Sequence, residues 1–261
     1  MDVMAAVGRR TISGGRYLLD LYLLAFRAVC EIFRRGPTGA REGRRVLLNQ
    51  VLFTGFDALP VLSLVAVLFG LVVIIQAVTQ LPRIGAGEMA GRILVLVIIR
   101  ELGPLITAVI VLGRSGSAIA VEIGNMRVNQ EIEALEMMGV DLFRYLIAPR
   151  VLGSVAAVTC LILYFDAVAI MGGFVVAKYK LVVPFSIYVG DLIQAMRFSD
   201  LLVTLVKGVV FGLTIAVVSV YHGLAVGNSP TEVPQQATKA ILRALSLCLV
   251  FNVLIAAVMY L

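Results

Sequence analysis

The chain has 261 residues, 61% of them hydrophobic, and a mean hydropathy of +1.02. This apolar share exceeds the roughly half that soluble domains show, so the composition excludes a soluble protein and predicts one integral membrane domain. The net charge is +6, and residues 1–50 hold most of the excess, with nine arginines against four acidic residues. Basic clusters beside membrane segments mark the cytoplasmic side and attract anionic lipid head groups, so nucleic-acid binding is not expected.

Residues 13–34 form the first apolar segment, and their pattern is that of an amphipathic helix. Asp20, Arg27 and Glu31 interrupt the run and no small-residue cleavage site follows, which argues against a signal peptide. At 100° per residue the polar side chains fall in one narrow band, as in a helix lying in the membrane interface. The alternative is a polar stripe that packs against a transmembrane helix. We therefore separate an amphipathic interfacial region, residues 1–45, from a transmembrane domain, residues 46–261.

Five long apolar runs follow, and their lengths favour an all-α bundle of about five transmembrane helices over a barrel. With the amino terminus in the cytoplasm, five spans place the loops 125–150 and 225–239 on the cytoplasmic side as well. Residues 82–87 are expected to turn on the outside, and residues 178–200 to hold a short interfacial helix. The predicted spans are 58–81, one that starts at 93, 151–177, 201–224 and 240–261.

The second span carries two adjacent charges, Arg100 and Glu101. Burying one charge at mid-membrane costs ~2.5–3.5 kcal/mol, so each needs a partner, and helix neighbours point too far apart to pair with each other. Lys207 and Asp166 also lie inside predicted spans and are the expected partners. Pro104 offers no N–H to the carbonyl of Arg100, which leaves a backbone acceptor free at this turn. These five residues are interpreted as a polar gate on a substrate path or, alternatively, as a static network that fixes helix register.

Small residues recur at helical spacing in the second and fourth spans. Such residues let helix backbones approach closely. The spacing therefore predicts helix packing, either within one subunit or at a dimer face. The residues concerned are Gly113, Gly116, Ala120 and Gly124 in the second span and Gly208 and Gly212 in the fourth.

The loop 125–150 contains a short, charged, helix-prone stretch at residues 131–139. Acidic residues alternate there with Ile132, Leu135 and Met138, so a helix would show the two kinds of side chain on different sides, and the glycine at 139 would end it. A soluble partner that grips such a helix by its apolar face would couple its motion to the membrane domain, whereas the alternative is a solvated connector. The expected coupling residues are Glu131, Glu133, Ala134, Leu135, Glu136 and Gly139.

No enzyme motif occurs in the sequence. Walker A, GxSxG and HExxH patterns are missing, so a separate subunit must hydrolyse any ATP that is used. Cys30, Cys160 and Cys248 lie far apart in apolar stretches and are interpreted as core residues. His222 has no second metal-type ligand nearby, so neither a metal nor another cofactor is expected on this chain.

Four motifs follow one another along the chain: Arg100-Glu101-Leu102-Gly103-Pro104, the small-residue stretch from Gly113 to Met126, the stretch from Glu131 to Gly139, and Pro149-Arg150. In this order they resemble the MlaE permease family, and the similarity continues through 212–223. The resemblance implies the permease subunit of an ABC transporter that moves phospholipids between the inner and outer membranes of Gram-negative bacteria, which maintains outer-membrane lipid asymmetry. It further implies a homodimer in the inner membrane, two cytoplasmic ATPase subunits, a STAS-domain protein on the ATPase and a periplasmic MCE-domain hexamer. Residues 131–139 would be the coupling helix.

On this interpretation a phospholipid enters an apolar cavity between two copies, with Arg100, Glu101 and Lys207 near its polar boundary, and ATP-driven motion arrives through 131–139. Two other functions stay open. One is a secondary transporter or channel driven by protons, with Asp166, Glu101 and Lys207 as the relay. The other is a passive scaffold, whose buried charges could be neutralised without loss.

Overall fold

The computed structural model describes residues 2–33, 40–80, 95–176, 178, 190 and 192–260, and all regular structure among them is helical. A 3-10 turn at Phe56–Ala58 and a π-helical segment at Leu112–Gly116 each join two consecutive helices, and π-helical segments at Val95–Leu102 and Phe143–Ile147 lead into the helices that follow them. The helices are α1 Asp2–Phe33, α2 Ala40–Gly55, α3 Leu59–Gln80, α4 Gly103–Val111, α5 Ser117–Val128, α6 Glu131–Met137, α7 Ala148–Val176, α8 Phe198–Leu224 and α9 Glu232–Tyr260.

Five helical stretches are long and apolar enough to cross a membrane, and α1 precedes them. The predicted all-α architecture of five spans after an amino-terminal helix is therefore confirmed. The stretches are Leu47–Ala77, Val95–Val128, Phe143–Val175, Phe198–Leu224 and Glu232–Met259.

Four of the predicted starts differ from the structure. The third span begins at Phe143 rather than at 151, and the fourth begins at Phe198 rather than at 201. The first span does not begin at 58, because α2 continues through the 3-10 turn into α3 without a break in helical backbone. The fifth span begins at Glu232 rather than at 240. Pro234 lies in the first turn of α9, where the missing N–H costs no helical hydrogen bond, so the proline that suggested a link opens the helix instead.

The second span is a single continuous helix from Val95 to Val128, in which two π-helical segments flank α4. Its predicted start at 93 and the turn at 82–87 lie outside the described residues. So does most of the predicted interfacial helix in 178–200, of which residues 192–195 are helical.

The centre of the bundle is α8, which packs against α5, α7 and α9. Its apolar stretch is 61% buried, against 17% for α9. Close approach of α8 to α7 depends on two glycines, since a Cβ at Gly212 would lie 2.7 Å from the Cα of Val155, and one at Gly208 would lie 3.0 Å from the Cα of Thr159. Packing within one subunit therefore accounts for the small-residue repeat on α8.

The small residues of the second span are divided between packed and open positions. Gly116 faces Ile215 of α8, and Gly124 lies where α5 meets Val226 and Val233. Ala120 is buried between them. A Cβ at Gly113 would meet no atom within 4 Å, because this residue lies in the second π-helical segment and turns away from the packed stripe.

Helix α1 lies against the bundle along a narrow apolar stripe that includes Leu21, Leu24 and Ala28. The polar residues Arg16, Asp20 and Arg27 are exposed, as are large apolar side chains on the remaining face. The polar stripe therefore borders the packed face: Arg16 and Asp20 line a space between α1 and the spanning helices, and Arg27 lies over the ring of Phe143. A helix with exposed polar and exposed apolar faces is suited to the membrane interface.

Candidate functional site

The charged pair of the second span lies at the end of the π-helical segment Val95–Leu102, directly before Gly103 and Pro104. A π-helical turn is wider than an α-helical one and is frequent at functional sites. Arg100 and Glu101 point to different neighbours, as expected for adjacent residues. Arg100 Nη2 lies 2.9 Å from Asp200 Oδ1, and Glu101 Oε1 lies 3.1 Å from Lys207 Nζ.

The ammonium group of Lys207 also donates a 2.5 Å hydrogen bond to the carbonyl oxygen of Arg100. This is the acceptor that Pro104 leaves without a backbone donor. One lysine therefore neutralises a carboxylate and satisfies the backbone at the proline turn. The predicted pairing of Lys207 with the charged turn is present in the structure.

The cluster joins three spans, since Asn252 Nδ2 of α9 donates to Glu101 Oε2 at 2.8 Å. Its charges balance, with two cations and two anions. The side chains of Lys207 and Asp200 are 0% exposed, whereas those of Arg100 and Glu101 are 20% and 34% exposed. The fourth span therefore supplies the buried half of each pair, and the second span supplies the half that reaches the surface.

Asp166 does not take part in these pairs, so its predicted role as a charge partner of the second span is wrong. It lies on α7 against Gly103, where a Cβ would overlap its carboxylate, and the side chain is buried. Among the described residues its Oδ1 atom has no hydrogen-bond partner.

Asp200 takes the place expected of Asp166 and was missed by sequence reasoning, which assigned it to the loop 178–200. It lies in the first turn of α8, and its Oδ2 accepts a 2.9 Å hydrogen bond from the backbone N–H of Arg197 as part of a capping box. The sequence did hold one indication of this role: acidic residues are favoured in the first turn of a helix, and a carboxylate there has a second oxygen that can pair with a neighbouring helix.

A cavity of about 490 Å³ opens beside the cluster, at the end of the bundle opposite the loop 125–150. Arg197 and Ser199 add polar groups to it, and Leu96 and Met259 add apolar surface. The cavity therefore places charged and apolar groups side by side, as the head-group region of an amphiphilic ligand requires.

The coupling stretch forms the short helix α6, as predicted. Gly139 follows it with φ +74°, and the backbone N–H groups of Gly139 and Val140 donate to the carbonyls of Glu136 and Leu135, at 2.9 and 3.1 Å. This is the Schellman arrangement, which favours glycine because of the left-handed backbone. The predicted helix end is confirmed.

The apolar residues of α6 do not form one outward face. Ile132 is 1% exposed and belongs to the core of this chain, whereas Met137 and Met138 are 84% and 69% exposed. Glu133 pairs with Arg127 at 3.3 Å, while Glu136 is exposed. The surface that α6 offers to a partner thus combines two methionines with acidic side chains, and its first turn is fixed to the bundle.

Two further ion pairs hold the second span to its neighbours. Arg150 of α7 donates to Glu122 of α5 at 2.6 Å, and Arg114 lies 3.0 Å from Asp57 in the 3-10 turn. Neither pair was predicted from the sequence, because its members are 28 and 57 residues apart and no periodic pattern connects them.

Five apolar spans around a buried, balanced charge cluster that borders a cavity define a multi-pass membrane protein of the transporter type. Residues 47–258 match the family described as Permease MlaE, and the chain belongs to this family. It is 32% identical, over 98% of its length and 96% of the relative's, to a probable ABC transporter permease protein of Rickettsia bellii.

Two relatives from other organisms have more specific names. The chain is 27% identical to the intermembrane phospholipid transport system permease protein MlaE of Haemophilus influenzae, over 94% of this chain and 95% of the relative. It is 32% identical to the chloroplastic protein TRIGALACTOSYLDIACYLGLYCEROL 1 of Arabidopsis thaliana, over 77% of this chain and 57% of the relative. Membership of the family establishes a membrane permease.

Proposed function

We propose that this chain is the permease subunit of an ABC transporter that moves phospholipids between the inner and outer membranes and so maintains outer-membrane lipid asymmetry. Family membership over residues 47–258 carries the proposal. The name of the Haemophilus influenzae relative supports phospholipid as the substrate, and the names of the Rickettsia relatives support the ABC assembly. The chain lies in the bacterial inner membrane with its amino terminus and the loop 125–150 in the cytoplasm.

In this assembly two copies form a homodimer, and a cytoplasmic ABC ATPase hydrolyses ATP, since the sequence of this chain contains no Walker A motif. A STAS-domain protein binds the ATPase, and a periplasmic MCE-domain hexamer receives or delivers the lipid. The low burial of α9, 17%, supports a surface shared with lipid or with the second copy. The phospholipid occupies a cavity between the copies.

The charge cluster acts as the polar boundary of that cavity. The phosphate of a lipid competes with Asp200 for the partly exposed guanidinium of Arg100, and Arg prefers such planar, two-pronged anion contacts. Glu101, 34% exposed, repels the same phosphate unless its carboxylate is neutralised by the ion pair with Lys207. A head group is therefore admitted or refused according to how the two ion pairs are arranged.

A single continuous helix connects the coupling helix α6 with the charge cluster. Helix α6 follows α5 after a tight turn at Gln130, and α5 is the end of the continuous helix from Val95 to Val128 that carries Arg100. This helix has 34 residues and spans about 50 Å at 1.5 Å per residue. A displacement of α6 by the ATPase is thus transmitted to the cluster along a single helix, whose π-helical segments allow a change of register.

Affinity purification of the chain from its native membranes, followed by mass spectrometry of proteins and lipids, tests the assembly. Wild type is expected to recover an ATPase, an MCE-domain protein and phospholipid. Glu136→Lys changes the exposed surface of α6 without breaking the Arg127 to Glu133 pair, so it is expected to lose the ATPase alone. Gln235→Lys, an exposed position on the neighbouring α9, is the matched control and should retain it.

Two outcomes would contradict the proposal. A chain that is purified alone, yet moves solute in vesicles when a proton gradient is applied, would support the secondary transporter. The observation in favour of that function is the buried Oδ1 of Asp166, which has no hydrogen-bond partner in the described part of the chain. Glu101→Ala variants that keep lipid transport and outer-membrane integrity at normal protein levels would show that the cluster is not the gate.

A further inference from the structure

A second cavity lies far from the charge cluster, between α1 and the ends of α8 and α9 that adjoin the loop 125–150. It is an open cleft of about 640 Å³. Polar and aromatic side chains line it, and an interfacial helix forms one wall. The lining side chains used below are Arg16, Tyr17, Asp20, Tyr221, Arg243 and Ser246.

The aromatic ring of Tyr17 positions the arginine of α9. The guanidinium carbon of Arg243 lies 4.3 Å from the centroid of this ring, and the ring packs edge-on against Tyr221 at 5.1 Å. The hydroxyl of Tyr17 lies 3.5 Å from Nε2 of His222. A guanidinium stacked on a ring keeps its N–H donors in the plane available for an anion. The contact with the ring and hydroxyl of Tyr17 therefore fixes the arginine and leaves its other N–H groups for an anion.

The charges of the cleft favour an anion. Arg16 and Arg243 face one carboxylate, Asp20, and no ion pair joins that carboxylate to either arginine within the described part of the chain. Burial raises the pKa of Tyr17 above its ordinary value, so the phenol stays neutral and does not cancel the charge of Arg243. Lys239 lies one helical turn before Arg243 and adds a further positive charge.

An apolar groove of about 220 Å³ continues from the cleft, and Leu18 and Leu247 line both. Its walls reach from Leu247 to Phe251 on α9 and as far as Leu213 on α8. Leu213 lies eight residues from Tyr221 in the cleft, which corresponds to about 12 Å along the helix axis. A polar cleft at the membrane surface thus opens into an apolar channel directed at the bilayer centre.

We infer that the cleft and the groove together bind one anionic phospholipid of the adjoining leaflet, with the phosphate between Arg16 and Arg243 and one acyl chain in the groove. That leaflet is the cytoplasmic one in the orientation proposed above. The lipid fills the space between α1 and the spanning helices and so fastens the interfacial helix to α8 and α9. It is separate from the transported lipid, because the charge cluster lies at the opposite end of the bundle.

Native mass spectrometry of the purified chain, titrated with phosphatidylglycerol, measures this binding without ATP or transport. Its result is therefore independent of whether the proposed transport occurs. Wild type is expected to bind one phosphatidylglycerol per chain in the cleft, in addition to any transported lipid between the copies. Arg243→Gln is expected to weaken binding about tenfold or more, the size of one charge-assisted hydrogen bond, and Arg16→Gln by a similar factor. Arg27→Gln removes an equal charge from α1 outside the cleft and should leave the affinity unchanged.

The acyl chain and the head group are tested separately. Ala25→Phe narrows the groove, so it is expected to weaken the binding of phosphatidylglycerol more than the binding of glycerol phosphate, which has no acyl chain. Equal affinity for glycerol phosphate and for phosphatidylglycerol would show a site for free phosphate and overturn the lipid assignment. Equal losses of lipid affinity in Arg27→Gln and Arg243→Gln, or an Arg243→Gln variant that binds lipid like wild type, would show that the cleft is not the binding site.

Discussion

Replacing Lys207 by methionine tests whether the buried lysine stabilises the bundle. The change keeps an unbranched side chain but removes the hydrogen bonds to the Arg100 carbonyl and to Glu101. A buried carbonyl left without a donor costs about 1–3 kcal/mol, and the partly exposed carboxylate, which retains Asn252, adds about 1 kcal/mol at most. We expect a loss of about 1–4 kcal/mol in the free energy of unfolding.

The partner variant distinguishes a specific pair from a general effect of burial. Glu101→Gln leaves the Lys207 ammonium group with no carboxylate at its 3.1 Å contact, so it is expected to cost about 3 kcal/mol. The double variant leaves neither charge uncompensated. Its cost should therefore fall below the sum of the single costs by about 1–2 kcal/mol.

Reversible unfolding of the purified chain in mixed micelles, followed by circular dichroism, provides the three free energies. Lys178→Met, at an exposed position outside the cluster, is the matched control and should change the free energy little. Additive costs in the Lys207 and Glu101 variants, or an equal loss in the control, would refute the reasoning, because they would show no interaction between the two charges.

The remaining predictions concern backbone positions and the second ion pair. Gly212→Ala should lower the thermal midpoint of unfolding in detergent, because its Cβ would lie 2.7 Å from the Cα of Val155. Gly113→Ala, in open space within the same kind of helix, should keep the midpoint or raise it slightly. Gly139→Ala places a side chain at φ +74° at a cost of about 1–2 kcal/mol, so amide hydrogen exchange of α6 should accelerate while the midpoint of the whole chain stays constant. Asp200→Asn weakens the contact with Arg100 and is expected to increase the affinity of purified protein for anionic lipid; an unchanged affinity would show that Asp200 does not compete with a phosphate.

Apolar length and local backbone chemistry made much of the fold predictable. Uninterrupted apolar runs identify spans from their length alone, without knowledge of the helices they contact. The missing N–H of Pro104 likewise predicted that the carbonyl oxygen of Arg100 lacks a backbone donor. The left-handed glycine after α6 is equally local, and Gly139 ends the helix as predicted. The identity of Lys207 as a partner followed from the small number of charges inside spans.

Features that depend on two distant elements were not predictable in the same way. Asp200 was assigned to a loop because its helix begins three residues earlier than the apolar run suggested. Asp166 was predicted as the charge partner instead because it lies well inside an apolar run. The burial of Ile132 depends on where α6 lies against the bundle, which an alternating pattern of charges does not specify. The same holds for the cleft beside α1, whose residues come from three separate helices.

The order of synthesis gives the charge cluster a further consequence. The partners of Arg100 and Glu101 lie 100 and 106 residues later in the chain. At about 5–20 residues per second, the ribosome needs roughly 5–20 s to produce them after the second span has emerged. During that interval the second span holds two charges without their final partners. They lie near the Val95 end of the span, where a charge costs less than the ~2.5–3.5 kcal/mol of the helix centre. Insertion of the second span therefore precedes the pairing of its charges, and Asp200 and Lys207 neutralise them when the fourth span enters the membrane.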